Sequence, residues 1–141
     1  MIIDGFRECI VFRIAPDDSK NQMAELRTSP TFCFKLATGV VTCDAELASG
    51  LWTRMLDLPA AEQMRCHIPL YGIHINMENG RFFTAAICWK CNNISISNSG
   101  EYEWHKFDGE SVAAKRLLND VKGLAESSEA ESETKNDARL R

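Results

Sequence analysis

The chain has 141 residues, of which 45% are hydrophobic and 26% are charged, and its formal net charge is -4. This length suits one domain, and the balance is that of a soluble globular protein. No dense basic patch occurs, which argues against nucleic-acid binding by bulk electrostatics. The longest apolar stretches are shorter than the roughly 18 to 20 residues of a membrane helix. The first residues include acids and lack the pattern of an export signal, so the sequence predicts a cytoplasmic protein.

The N-terminal third of the chain predicts two strands with a short helix between them. Apolar residues alternate with polar ones over residues 6–14, which predicts a strand with one buried face. Asp18 or Ser19 is a candidate N-cap for a short helix that ends at Leu26. Alternation over residues 31–38 predicts a second strand.

An amphipathic helix is predicted over residues 44–57. Its apolar residues recur at helical spacing: Leu47, Leu51, Met55 and Leu58. Thr42 or Asp44 is the candidate N-cap, because a short side-chain oxygen can accept an unpaired backbone N–H. Pro59 ends the helix.

The centre of the chain predicts an antiparallel meander. The expected strands cover residues 70–77, 82–90, 94–97 and 102–107. Asn79 and Gly80 lie between the first two, and Asn-Gly between β-rich runs is the strongest short-range hairpin signal. Short turns between consecutive strands make the pairing antiparallel.

A second helix is predicted from about residue 111 to 124, with Gly123 as its stop. Residues 125–141 have no aromatic residue and one leucine, too little apolar surface to offset the entropy of ordering, so a disordered tail is expected. The whole pattern predicts one α+β domain over residues 1–124. We expect an antiparallel sheet of about five to six strands with two main helices on one face.

Six cysteines are distributed over this domain: Cys9, Cys33, Cys43, Cys66, Cys88 and Cys91. In a reducing compartment, cysteines in a chain of this size are expected to be thiols that pack as small hydrophobes. Cys9 and Cys33 fit that expectation, because each lies within an apolar alternating run.

The CxxC motif at Cys88 and Cys91 has three interpretations. The favoured one is structural, with two thiols on a buried strand that point to opposite faces and would not meet without a bulge. A redox pair normally opens a helix, whereas a strand-like segment follows here. A zinc site would use Cys66, Cys88 and Cys91 with a fourth ligand; His67 directly follows Cys66, and adjacent residues of a strand point apart.

No nucleophile elbow, phosphate-binding loop or zinc-protease motif occurs, so the sequence predicts that the protein is not an enzyme. The candidate partner-binding residues are consecutive: Glu101, Tyr102, Glu103, Trp104 and His105. Tyrosine and tryptophan are enriched in interface cores, and acids steer a basic partner. The competing interpretation is that Tyr102 and Trp104 pack under the last helix.

Two segments of the chain resemble a pattern in small bacterial proteins of uncharacterised function. They are residues 66–75, CHIPLYGIHI, and residues 87–94, ICWKCNNI. In that pattern a C-x-x-P-x-Y-G strand is followed by a Gly turn, an I-C-[FW]-x-C strand and a final helix with paired leucines, here Leu117 and Leu118. The resemblance covers about residues 66–124. It implies an α+β fold and a bacterial origin, and it assigns no activity.

By size, charge and architecture the chain is also similar to bacterial immunity proteins, which bind and block a toxin. The expected function is therefore that of a cytoplasmic immunity protein that occludes the active site of a cognate, cytosol-acting toxin. Its partner would be that protein toxin, encoded nearby, with no nucleic acid, membrane or cofactor involved. The alternative is a zinc-binding or thiol-redox protein that uses Cys66, Cys88 and Cys91.

Overall fold

A computed structural model describes residues 5–15, 22–29, 32–37, 41–66, 69–99 and 101–139. The strands and helices within these ranges follow in chain order: β1 Phe6–Arg13, β2 Gln22–Ser29, β3 Phe32–Ala37, β4 Val41–Cys43, α1 Ala45–Leu56, β5 Tyr71–Met77, β6 Phe82–Cys88, β7 Asn93–Asn98, β8 Glu101–Lys106 and α2 Val112–Arg139. Residues 16–21, which hold most of a predicted loop, and the side chain of Cys33 lie outside this description.

Six of the strands form one antiparallel sheet in the order β4-β1-β5-β6-β7-β8, and β2 pairs with β3 in a separate two-stranded sheet. The small sheet joins the large one where Ile14 bridges to Leu36 and the Ala15 N–H donates to the Lys35 carbonyl at 2.7 Å. The predicted α+β class is thereby confirmed, with six strands in the main sheet and two helices among the described residues.

Helix α1 begins where the sequence predicted. The Asp44 carboxylate accepts a hydrogen bond from the Leu47 N–H at 2.8 Å, so Asp44 rather than Thr42 is the N-cap. The buried face of the helix consists of Ala48, Leu51, Trp52 and Met55. Leu47, which was predicted to belong to the apolar face, is 40% exposed.

The main core lies between one face of the sheet and both helices. Its members with 0% exposure are Cys9, Val11, Ile73, Ile75, Ala85 and Ile87 from the sheet and Ala114, Leu117 and Val121 from α2. The Trp89 indole N–H donates to the Ala114 carbonyl at 2.9 Å and so ties the start of α2 to the end of β6. Side chains of this size are each stabilised by about 1.5 to 3 kcal/mol when they leave water.

The central hairpin is confirmed. Strands β5 and β6 pair from Asn76 opposite Phe82 to Tyr71 opposite Ile87. Gly80 has φ +87°, a conformation that favours glycine, and the Arg81 N–H donates to the Asn79 side chain at 3.0 Å. The turn chemistry therefore sets the register of the two central strands.

Two predictions in the N-terminal third are wrong. The segment that ends near Leu26 is strand β2 and not a helix, because pairing with β3 places Leu26 opposite Phe34. Tertiary pairing overrides a weak helical pattern in a segment this short. Strand β1 is buried on both faces, since Val11 and Phe12 are both 0% exposed and β1 lies between β4 and β5.

Helix α2 continues beyond the end that the sequence predicts. Gly123 lies inside the helix, and its position between the buried Val121 and Ala125 explains why it does not act as a stop. A glycine inside a helix costs only about 1 kcal/mol relative to alanine. The helical backbone of α2 extends to Arg139 and so into residues 125–141, for which the sequence predicts a disordered tail. Disorder of that segment stays a prediction.

Candidate functional site

Strand β8 is the last strand of the main sheet and carries all five predicted partner-binding residues. It pairs with β7 so that Glu103 lies opposite Ile96 and Trp104 lies opposite Ser95. Because side chains alternate along a strand, Glu101, Glu103 and His105 share the helix side of the sheet. We call the five residues from Glu101 to His105 the β8 surface.

On the helix side, the β8 surface borders a cleft of about 230 Å³ between the sheet and α1. Glu101 and Glu103 line it on the sheet side and Trp52 on the helix side, and Phe83 also lines it. The rings of Trp52 and Phe83 meet edge to face with centroids 6.0 Å apart. The Arg81 guanidinium lies 5.8 Å from the centroid of Phe83, so this aromatic wall already attracts a cation.

Register places Tyr102 and Trp104 on the side of the sheet opposite the helices, and Tyr102, at the edge of the sheet, also lines the 230 Å³ cleft. Tyr102 is 44% exposed and Trp104 is 53% exposed. Their register partners Ser97 and Ser95 belong to the face that the β2–β3 sheet adjoins. The interpretation that these two aromatic residues pack under the last helix is therefore wrong.

Cys66 and Cys91 form a disulfide that joins residues 25 positions apart, with their Cα atoms 5.7 Å from each other. The expectation that both would be thiols is wrong for this structure. Strand β6 ends at Cys88 and the chain turns, so the Cys91 N–H donates to the Cys88 sulfur at 3.2 Å. The prediction that Cys88 and Cys91 would point apart assumed a continuous strand, and that assumption is wrong because β6 ends at Cys88.

Two asparagines hold the segment that contains Cys66. The Asn93 side-chain amide donates to the carbonyls of Cys66 at 2.7 Å and Met64 at 3.3 Å. The Asn92 amide donates to the Glu62 carbonyl at 3.3 Å, and the Met64 N–H donates to the Cys91 carbonyl at 2.9 Å. The segment after α1 is thus attached to the turn at Cys91 without any strand pairing.

A second cleft, of about 270 Å³, opens beside the disulfide. It is lined by Met64, Arg65, Cys66, Asn93 and Trp104, among others. Trp104 therefore lies next to the accessible half of the disulfide. The β8 surface therefore meets, at this cleft, the cysteine that is bonded to Cys91 of the CxxC motif.

The zinc alternative needs Cys66, Cys88 and Cys91 as ligands, but two of these sulfurs are bonded to each other. Across the residues that the structure describes, no group of three or more His, Cys, Asp or Glu side chains could hold a metal ion. His67 lies outside the described residues. Zinc binding stays a prediction for the reduced protein.

Sequence reasoning missed a second cysteine pair. Cys9 and Cys43 lie directly opposite each other on β1 and β4, and both are buried thiols. A hydrogen bond to the Cys43 side chain, together with burial, raises the pKa of the Cys9 thiol. The three-residue strand β4 carried no signal strong enough to predict this pairing.

A row of hydrogen-bonding side chains was also missed. His74 lies opposite Thr84, and Thr84 lies opposite Ser97, so all three share the sheet face away from the helices. His74 Nδ1 and Thr84 Oγ1 are 2.6 Å apart, and Nε2 is 3.1 Å from Asn76 Oδ1. Since Oδ1 can only accept, Nε2 carries the proton and Nδ1 accepts from the threonine hydroxyl. Burial lowers the pKa of His74.

Comparison with known protein families, with curated proteins and with solved structures finds no match for this chain. Among the described residues, neither helix has a stretch that is both long enough and apolar enough to cross a membrane.

Proposed function

We propose that this chain is a binding protein of the bacterial immunity type, which acts in the cytoplasm and blocks a cognate protein toxin with its β8 surface. The observation that carries the proposal is the position of that surface. β8 ends the main sheet, and its acids project on one side while Tyr102 and Trp104 project on the other. A partner at this edge would contact both sides of one rigid strand.

The distribution of exposed apolar side chains supports the β8 surface as the binding surface. Seven large apolar side chains are exposed within the described residues, and four of them line the two clefts beside β8: Leu56, Met64, Tyr102 and Trp104. Tyrosine and tryptophan present a large contact area and are frequent binding hot spots. A stable complex would bury on the order of 1,200 to 2,000 Å², so the partner would extend over both clefts.

Charge defines the partner's chemistry. Glu101 and Glu103 border an aromatic wall, and Glu103 also accepts a 3.3 Å contact from the His105 ring. Such a surface complements a basic one and increases the rate of association with it. A toxin that acts on nucleic acid or on nucleotide cofactors needs a basic active-site cleft to bind phosphate. The β8 surface would occupy that cleft and exclude the substrate.

The test is co-expression with the partner. Tagged full-length protein is used to capture a stoichiometric partner from the native bacterium, and that partner is then expressed alone and together with this chain. We expect toxicity alone and normal growth together. A partner that is harmless alone, or whose toxicity this chain does not suppress, would reject the immunity function.

The surface is tested with charge reversals. Glu101→Lys with Glu103→Lys should lower the association rate and the affinity for the partner at low salt, and Trp104→Ala should raise the dissociation rate. Glu110→Lys is the matched control, since Glu110 is also exposed but precedes α2 and pairs with Lys115. Unchanged binding by the β8 variants would place the interface elsewhere.

The second candidate is a zinc or thiol function of Cys66, Cys88 and Cys91. It is favoured by the contact of the Cys88 sulfur with the Cys91 N–H, which brings all three residues to one end of the sheet. Metal analysis of the reduced protein should then give about one equivalent of zinc, as a single site with thiolate ligands requires. Substitution of any one of the three by serine should abolish it. Metal-free protein would reject zinc binding and leave the thiol function.

A further inference from the structure

We infer that Cys91 exchanges between two disulfide partners, Cys66 and Cys88, and that this exchange exposes the Cys66 thiol in the cleft beside Trp104. The inference rests on the thiol form of the second candidate function. It does not depend on whether the β8 surface binds a toxin. The class of reaction is intramolecular thiol–disulfide exchange.

The position of Cys88 is the first argument. Its sulfur lies 3.2 Å from the Cys91 backbone nitrogen, and the Cys91 Cα is one bond of about 1.46 Å beyond that nitrogen. Disulfides form between residues with Cα atoms about 4.4 to 6.8 Å apart, and a turn brings residues three apart within about 7 Å. The turn at residues 89–92 therefore brings Cys88 within reach of Cys91.

The chemistry balances without any oxidant. The Cys88 thiol loses its proton, and the resulting thiolate attacks the Cys91 sulfur. A Cys88–Cys91 bond forms as the Cys66–Cys91 bond breaks, and the electron pair goes to the Cys66 sulfur. Cys66 then takes a proton from solvent in place of the one that Cys88 released. One disulfide and one thiol are present before and after the step.

The three cysteines differ in solvent exposure, so the exchange changes which thiol is accessible. Cys88 is 1% exposed and Cys91 is 0% exposed, whereas Cys66 is half-buried and lines the 270 Å³ cleft. Exchange therefore moves the free thiol from the core to the surface. The segment with Cys66 would remain attached by the hydrogen bonds from Asn93.

The exposed thiol would react with a low-molecular-weight disulfide or an alkylating reagent, because the cleft beside Trp104 is open to solvent. Cys9 and Cys43 supply an internal contrast. They are also thiols, but they are buried on neighbouring strands of the main sheet. Reaction at Cys66 with Cys9 and Cys43 untouched would thus identify exchange rather than unfolding.

The experiment uses the full chain, oxidised in air and without reductant. The folded protein is incubated with a maleimide at about pH 8.5, where ordinary thiolates are well populated, and the labelled cysteines and disulfide-linked peptides are mapped by mass spectrometry. We expect label on Cys66 and a Cys88–Cys91 linkage. Cys88→Ala should reduce labelling of Cys66 by about tenfold or more, because the attacking thiolate is gone. Cys43→Ala is the matched control and should leave labelling of Cys66 unchanged.

A second variant tests the same inference in case Cys88→Ala does not fold. In Cys66→Ser, air oxidation should yield the Cys88–Cys91 disulfide, and two free thiols at these positions would overturn the inference. The failures are distinguishable. A wild-type protein that never forms the Cys66–Cys91 disulfide would reject the thiol function itself. A Cys66–Cys91 disulfide that persists, with no label on Cys66, would reject only the exchange.

Discussion

The central strands of the main sheet are buried on both faces, but the two faces are packed by different means. Three consecutive residues of β5 show the contrast. Ile73 points to the helix side, where it is fully buried and packs among other apolar side chains. Gly72 and His74 point to the other side, where Gly72 lies against the Phe12 ring and His74 is hydrogen-bonded to Thr84.

This difference shows which substitutions each face tolerates. On the helix side, stability depends on the volume of apolar side chains, so similar hydrophobes can replace one another at small cost. On the other side, the fold requires that residue 72 has no side chain and that His74 keeps its hydrogen bond. A buried polar group that loses its partner keeps the full cost of its desolvation.

The largest expected effect is on the helix side. Ile73→Ala should lower the free energy of unfolding by about 3 kcal/mol, because it removes buried methyl groups and leaves a cavity. Urea unfolding followed by circular dichroism measures this change. Val112→Ala is the control, since Val112 is 67% exposed and should change stability by less than about 0.5 kcal/mol. Equal effects of the two substitutions would contradict the packing of β5 against the helices.

Gly72→Ala tests the opposite face and should cost about 2 kcal/mol, within the usual range for overpacking. A methyl group there would meet the Phe12 ring and lie 2.9 Å from the Ala85 carbonyl oxygen. Phe12→Leu should therefore recover part of the loss when it is combined with Gly72→Ala. Strictly additive effects in this double-mutant cycle would show that the ring is not the obstacle.

The pH dependence of the free energy of unfolding should depend on His74, which lies on the face away from the helices. Burial lowers the pKa of His74 in the folded state, while the hydrogen bond to Asn76 and the charge of Glu8 partly oppose this shift. As the pH falls through about 6.5, the unfolded chain binds a proton at this residue before the folded one does, so stability declines until the folded-state pKa is passed. His74→Gln should flatten that part of the profile. His105→Gln, on β8, is the comparison variant, and an equal change in both would remove His74 as the cause.

The smallest effect on stability is expected at the β8 surface. Glu101→Lys with Glu103→Lys should change the free energy of unfolding by no more than about 0.5 kcal/mol, because both side chains are exposed. Thermal unfolding at matched ionic strength is a sufficient measurement. A loss comparable to that of Ile73→Ala would mean that these acids support the fold, and their effect on partner binding could not then be assigned to the interface.

The parts of the fold that the sequence predicted are those specified by local chemistry. Asp44 caps α1 through its own side chain, and Gly80 turns the central hairpin through its own backbone freedom. Strand β2 was missed because its state depends on β3, and β4 was missed because three residues carry no periodic signal. The five residues of the β8 surface were correctly predicted to lie on a strand. Register and the position of α1 decided that Glu101 and Glu103 border one cleft and Trp104 the other.

The cysteine pairings show most clearly what the sequence could not predict. Composition and periodicity by themselves determined the α+β class, the antiparallel meander and the acidic, aromatic strand that ends it. Only the tertiary structure decided that Cys66 pairs with Cys91, that Cys88 lies beside them, and that Cys9 faces Cys43. The physical reason is distance along the chain. Turns and caps act over two to four residues, whereas a pairing across 25 positions exists only after the sheet and the segment that follows α1 have come together.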